Sequence, residues 1–246
     1  MVELLFARTF LVVGAMLCLT AITAKYNKYF ETTYEGVATI IISFLLFFLI
    51  YGYSDTYPLN LLLVGAFALA MGWMIGPTIE LIALNYKIKK YFREKGEPLE
   101  KDQHPTPDQV AEFKNTTDFD AYHKQWQNII FQAMAGTASA VLASALLAFL
   151  SDIDFSFLEQ FLFVGLLTLI IMGTLNLIFF RSRVLRLLQA YAGAMIFTLY
   201  LIFDFHQLKA RAGDDSWSAA IDIAVQIYIN IINLFIELLI AMAESQ

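Results

Sequence analysis

Seven stretches of this chain are apolar runs long enough to cross a bilayer: 4–24, 37–53, 58–86, 128–150, 158–180, 185–205 and 218–242. At about 1.5 Å of rise per residue, roughly 20 residues of helix span the ~30 Å hydrocarbon layer. Inside that layer every backbone amide must be satisfied within the protein, which leaves a helix bundle or a closed barrel. The alternating segments of about ten residues that build a barrel are absent, and the runs are too long for barrel strands. The expected fold is therefore an all-α integral membrane protein, a single polytopic domain over residues 1–246 with seven transmembrane helices. Composition agrees: 15% of residues are charged, against about 25% in soluble domains, and the mean hydropathy is +0.63.

The first run, with Arg8 ahead of Leu11-Val12-Val13, has the look of a signal peptide. Its length of about 20 residues and the lack of a small-residue cleavage site make it the first membrane helix instead. The single cysteine, Cys18, excludes an intramolecular disulfide and is expected as a small buried apolar residue. The net charge of −6, with no basic arm, gives no reason to invoke nucleic acid.

Residues 87–127 form one hydrophilic insertion, rich in Lys87, Lys89, Lys90 and Arg93 and then in mixed charge. An extramembrane loop is expected there, with a short helix opening at Thr106-Pro107-Asp108 and carrying Val110, Phe113 and Phe119. The sequon Asn115-Thr116-Thr117 matters only if this segment faces a glycosylating lumen. With seven spans, every Lys and Arg except Arg8, Lys209 and Arg211 falls on one side of the membrane. The positive-inside rule then puts the C-terminus in the cytoplasm. The short segment before the first run and the compact length lead us to expect a bacterial inner (plasma) membrane rather than the endoplasmic reticulum.

The last run carries Asp222, Gln226, Asn230, Asn233 and Glu237, spaced 4, 4, 3 and 4, and so on one helical face. A charged side chain in hydrocarbon costs about 2.5 kcal/mol or more, so this stripe must face protein, water or an ion. The sixth run ends in Phe203-Asp204-Phe205-His206, and a turn later Asp222 opens the last run, so both aspartates are expected near one membrane face. Two carboxylates brought together there would sense protons or hold a divalent cation such as calcium. The plainer reading makes both interfacial, with Asp222 a first-turn acid on the helix dipole. At the other end Glu237 is expected at the depth of Glu80, which follows Gly72-Trp73-Met74-Ile75-Gly76-Pro77 in the third run. Carboxylates near each mouth with Asn230 and Asn233 between them are what a cation path requires. Gln132, Asn176 and Gln189 are expected as interhelical hydrogen-bond formers.

No enzyme is expected. The histidines His104, His123 and His206 lie in the insertion or at a helix end, so neither a metal cluster nor a base for Ser139 or Ser144 can be assembled, and Gly213-Asp214-Asp215 is a loop turn. No cofactor is implied beyond calcium as a transported ion.

The motifs Gly76-Pro77-Thr78-Ile79-Glu80, Gly136-Thr137-Ala138, Phe203-Asp204-Phe205-His206-Gln207-Leu208 and Ile227-Tyr228-Ile229-Asn230-Ile231-Ile232-Asn233-Leu234-Phe235 resemble the Bax inhibitor family, also called the transmembrane Bax inhibitor motif (TMBIM) family, with its bacterial YccA-like branch. The resemblance implies a seven-helix bundle around a central seventh helix, and a pH-dependent calcium leak. It also implies suppression of cell death and, in bacteria, partnership with a membrane-bound protease. The family's pH sensor is an aspartate pair. Asp204 takes the first place, while Asn230, which cannot ionise, takes the second. The family's arginine after the second helix is replaced by Tyr53-Ser54-Asp55-Thr56. Asp222, two turns before Asn230 on the same face, is the candidate to take over as partner of Asp204. Two function classes follow: a cation leak lined by Asp204, Asp222, Asn230, Asn233, Glu237 and Glu80, or a non-conducting regulator that binds a membrane protease or another membrane protein, its stripe serving as interhelical glue.

Overall fold

A computed structural model describes residues 2–97, 99, 105–115 and 119–245. The sequon beyond Asn115 and His104 lie outside the described residues. Eight α-helices follow in order: α1 (Val2–Tyr26), α2 (Thr33–Gly52), α3 (Leu59–Lys95), α4 (Pro107–Lys114), α5 (Phe119–Leu150), α6 (Leu158–Leu175), α7 (Arg183–Ala210) and α8 (Trp217–Ser245). All but α4 are long and apolar enough to cross a membrane. They display side chains that water would reject, among them Leu11, Phe44, Phe131 and Phe179, each about two-thirds exposed or more. Cys18 is one of these outward residues, not the buried one expected, because a lipid-facing surface needs no polar cover.

Local sequence sets the helix ends. The Thr32 side chain accepts from the Glu35 amide at 3.1 Å, and the Glu35 carboxylate accepts from the Glu31 amide at 2.7 Å, starting α2 four residues before its apolar run. Before α8, Asp214 accepts from the Ser216 amide at 3.0 Å, which holds its carboxyl below the ordinary value of 3.8. Ser216 in turn caps the Ala219 amide at 3.1 Å. Lys209 donates to the carbonyls of Phe149 and Ser151, at 3.2 and 2.9 Å, closing the end of α5.

The helices sort into two packed units. The first holds residues up to Glu80, Ala145–Phe155 and Leu201–Asn230, and the second Leu81–Ser144, Ser156–Tyr200 and the chain from Ile231. In the first unit Gly72 and Gly76 let the α1 and α3 backbones touch, since a Cβ at either would strike the carbonyl oxygens of Thr20, or of Ala24 and Asn27. Pro77 lacks an N–H, which frees the Trp73 carbonyl four residues earlier. The Asn27 amide donates to that carbonyl at 2.7 Å, so the proline is accommodated by its neighbour helix.

In the second unit the 87–127 insertion holds more helix than the one short helix expected there. At 37 residues α3 is about 55 Å long and runs on through Lys87–Lys95, and α5 begins at Phe119. Ile88 and Phe92, spaced by four, form an apolar stripe among the lysines, and Phe113 of α4 and Tyr122 of α5 bury it. α4 begins with the expected cap, in which Thr106 and Gln109 bond one another's backbone amides. Lys95 pairs with Glu112 at 2.7 Å, and the Tyr122 hydroxyl donates to Glu94 at 2.7 Å.

α8 is the most buried of the spanning helices, with 44% of its apolar window covered against 17–39% in the others. Its residues up to Asn230 belong to the first unit and those from Ile231 to the second.

Candidate functional site

Within the first unit, α7 presents Asp204 and α8 presents Asn230. The Asn230 amide donates to Oδ2 of Asp204 at 2.7 Å, and the two residues are 2% and 7% exposed. Local sequence puts Asp204 inside: Leu201, Phe205 and Leu208, spaced by four and three, are fully buried beside it, and Phe205 packs against Phe10 and Phe149 at centroid distances of 6.2 and 6.1 Å. Tyr228, two residues before Asn230, is fully buried as well. Thr20 donates its one proton to the Ala68 carbonyl at 2.9 Å, so at 2.5 Å the Tyr228 hydroxyl donates to Thr20. This bond fixes the α8 register that aims Asn230 at α7.

The other predicted residues take different surroundings. Asp222 is partly buried, and its Oδ1 is enclosed without a hydrogen-bond partner among the described residues. Its charged neighbours are Arg211 and Asp55. The hydrogen bond of Asp204 thus goes to Asn230, while Asp222 has charges of both signs, Arg211 and Asp55, in its surroundings. Asn233 and Glu237 are partly buried in the second unit, where Gly193 on α7 makes room for Glu237: a Cβ there would lie 2.9 Å from its Oε1. Glu80 is exposed and belongs to the first unit, whereas Glu237 belongs to the second. Among the described residues no group of three or more His, Cys, Asp or Glu side chains is placed to hold a metal ion.

Sequence reading assigned Asp55 and Arg211 no place beside Asp222. One signal was available: Arg211 is one of only three cations on the sparsely charged side. Arg211, just past the end of α7, and Asp55, between α2 and α3, bring opposite charges to the surroundings of Asp222.

Seven spanning helices and a carboxylate held by an amide between two of them define a polytopic helical membrane protein with a buried ionisable centre. The chain belongs to the Bax inhibitor family: residues 119–246, just over half its length, match the family described as "Inhibitor of apoptosis-promoting Bax1". Over 240 residues it is 26% identical to "Protein lifeguard 4" of Mus musculus, covering 94% of this chain and 81% of the mouse protein. Over 112 residues it is 33% identical to the "Golgi anti-apoptotic protein" of Vaccinia virus (strain Lister), 46% of each chain. It is also 32% identical over 111 residues to an "Uncharacterized membrane protein" of Vibrio cholerae, 45% of this chain and 48% of that one. The family match takes in Asp204 and Asn230, while the Gly76–Glu80 motif lies before it.

Proposed function

We propose that the protein is a membrane cation leak, with calcium the ion, in which the Asp204–Asn230 pair is the gate. The observation that supports this reading is the burial of an ionisable carboxylate between two spanning helices with an uncharged amide as its hydrogen-bond partner. Intramembrane carboxylates are costly, and they mark ion or proton pathways by default. Only Asp204 of the pair can titrate. Protonation removes both the charge that attracts a cation and the strongest acceptor for the Asn230 amide, so gating responds to pH through one residue instead of two. Asp222, Asn233 and Glu237 supply further oxygens along α8, and Glu80 is the peripheral member of the set. We place the C-terminus in the cytoplasm, following the distribution of Lys and Arg, and the protein in a bacterial inner membrane, in keeping with its similarity to a Vibrio cholerae membrane protein. It acts without enzymatic chemistry and without a resident cofactor.

A second reading, a non-conducting regulator that binds a membrane protease or another membrane protein, draws on α4. This capped helix is packed on Ile88, Phe92 and Tyr122 and makes an ordered platform outside the apolar spans. The descriptions of the matched family and of the Vaccinia virus relative, which concern apoptosis and not transport, favour it too. Calcium flux into proteoliposomes holding the purified protein decides between them. Flux above that of empty vesicles supports the leak. Flux no greater than theirs, with a partner lost on deletion of 107–114, supports the regulator.

A further inference from the structure

The second unit contains a cavity of about 620 Å³ where the apolar part of α3, the α6–α7 turn and the end of α8 meet. Its charged lining is Lys89, Arg181 and Arg186 against one carboxylate, Glu244. Glu244 accepts from Lys89 at 3.3 Å, from Arg186 at 3.1 Å and from Arg183 at 2.9 Å, so three cations already share it. Arg181 has no ion pair among the described residues. Among the described residues, the positive charge at this cavity therefore exceeds the negative charge that meets it.

Arg181 is also held in an uncommon conformation. The last turn before it, Asn176–Phe180, is π-helical, and Arg181 follows with φ of 48°, in the left-handed region that favours glycine. The buried Asn176 enforces this turn, its side chain accepting from the Ser182 amide at 2.8 Å and donating to the Ser182 carbonyl at 3.2 Å. A non-glycine residue in that region is strained, and the strain persists here at an arginine on a cavity wall. Asn176 is thus a positioning residue. Gly173, which also lines the cavity, makes room for Gln189, since a Cβ there would lie 2.5 Å from the Gln189 amide nitrogen.

The cavity is not lined by charge alone. Leu81 and Leu177 also line it and are 60% and 76% exposed. A site with surplus guanidinium charge beside outward apolar side chains, at the end of membrane helices, matches one ligand: a phosphate headgroup that carries acyl chains. We infer that this cavity binds the headgroup of an anionic membrane lipid, its phosphate on Arg181 and Arg186 and its chains along Leu81 and Leu177. The inference does not rest on the leak reading, because this lining and the Asp204–Asn230 pair belong to different units.

The test is native mass spectrometry of the full chain titrated with dioleoylphosphatidylglycerol or dioleoylphosphatidylcholine. Arg181→Gly and Arg181→Asn suit the left-handed backbone and remove the charge, so their thermal midpoints should stay at or above that of the parent. Each should weaken the tightest phosphatidylglycerol binding about fivefold. Lys28→Ala, which removes another exposed cation, one in the first unit, should leave it unchanged, and millimolar inorganic phosphate should not displace the lipid. Parent-like phosphatidylglycerol binding in both stable variants would overturn the inference, as would equal affinity for phosphatidylcholine. Displacement by inorganic phosphate would do so too, because it would make the cavity a site for a soluble anion.

Discussion

The amide nitrogen of Asn230 lies 2.7 Å from Oδ2 of Asp204, joining α8 to α7 at a point where both side chains are sealed from the surface. A hydrogen bond to a charged group in the interior contributes about 1.5–3 kcal/mol, whereas interhelical bonds within membranes average nearer 0.6. Asn230→Ala should therefore lower stability by about 1–2 kcal/mol, read as the thermal midpoint in detergent. In a double-mutant cycle with Asp204→Leu, the combined loss should be smaller than the sum of the single losses. Strict additivity would mean that the bond contributes nothing.

Asn27 and Pro77 make a second coupled pair through the Trp73 carbonyl. Asn27→Ala leaves that carbonyl without its donor and should cost about 1–3 kcal/mol. Pro77→Ala restores an N–H to the same carbonyl, so the double variant should recover much of the loss. A double variant as unstable as Asn27→Ala would show that the proline does not create the need for Asn27.

Contact between the α1 and α3 backbones makes Gly72 intolerant of any side chain. Gly72→Val should cost about 3 kcal/mol or prevent the protein from accumulating. Gly14 has open space around its missing Cβ, and Gly14→Ala should be neutral or stabilising by up to about 1 kcal/mol. Yield and thermal midpoint in detergent distinguish the two outcomes.

Docking of α4 should depend on pH through Glu112. The hydrogen bond from Lys95 holds its carboxyl below the ordinary value of 4.5. A carboxyl depressed in the folded state contributes stability that is present above the ordinary value and is lost as pH falls through the lowered one. Amide exchange across 107–114, corrected for intrinsic rates, should therefore rise only in the acid range, and Glu112→Gln should flatten the profile. Exchange that rises toward neutral pH would contradict this assignment.

The spans were legible because membrane helices announce themselves by length and apolarity, and because Thr32 and Thr106 carry their caps in the local sequence. The α3 extension was not: its lysines mask the Leu84, Ile88 and Phe92 stripe, which is apolar only on the face that α4 covers. Asp204 and Asn230 stood out as polar residues in apolar runs, yet their partnership is a matter of how α7 and α8 pack. Asp222 acquires Arg211 and Asp55 as neighbours in the same way, through tertiary contacts between segments distant in sequence. Glu80 satisfied the rule for an intramembrane carboxylate but lies on an exposed face. Glu244 was overlooked because a charge near the end of a run looks like solvated surface, while here it gathers three cations.

The most direct test of the gate is calcium flux into proteoliposomes at pH 6 and pH 8, comparing the parent with Asp204→Asn and Asp222→Asn separately at matched protein content. If the buried pair gates a leak, the parent's flux should change between the two pH values. Asp204→Asn should abolish that change, and Asp222→Asn should retain it at an altered amplitude. A pH response that survives intact in Asp204→Asn, or a parent flux no greater than that of empty vesicles, would contradict the assignment.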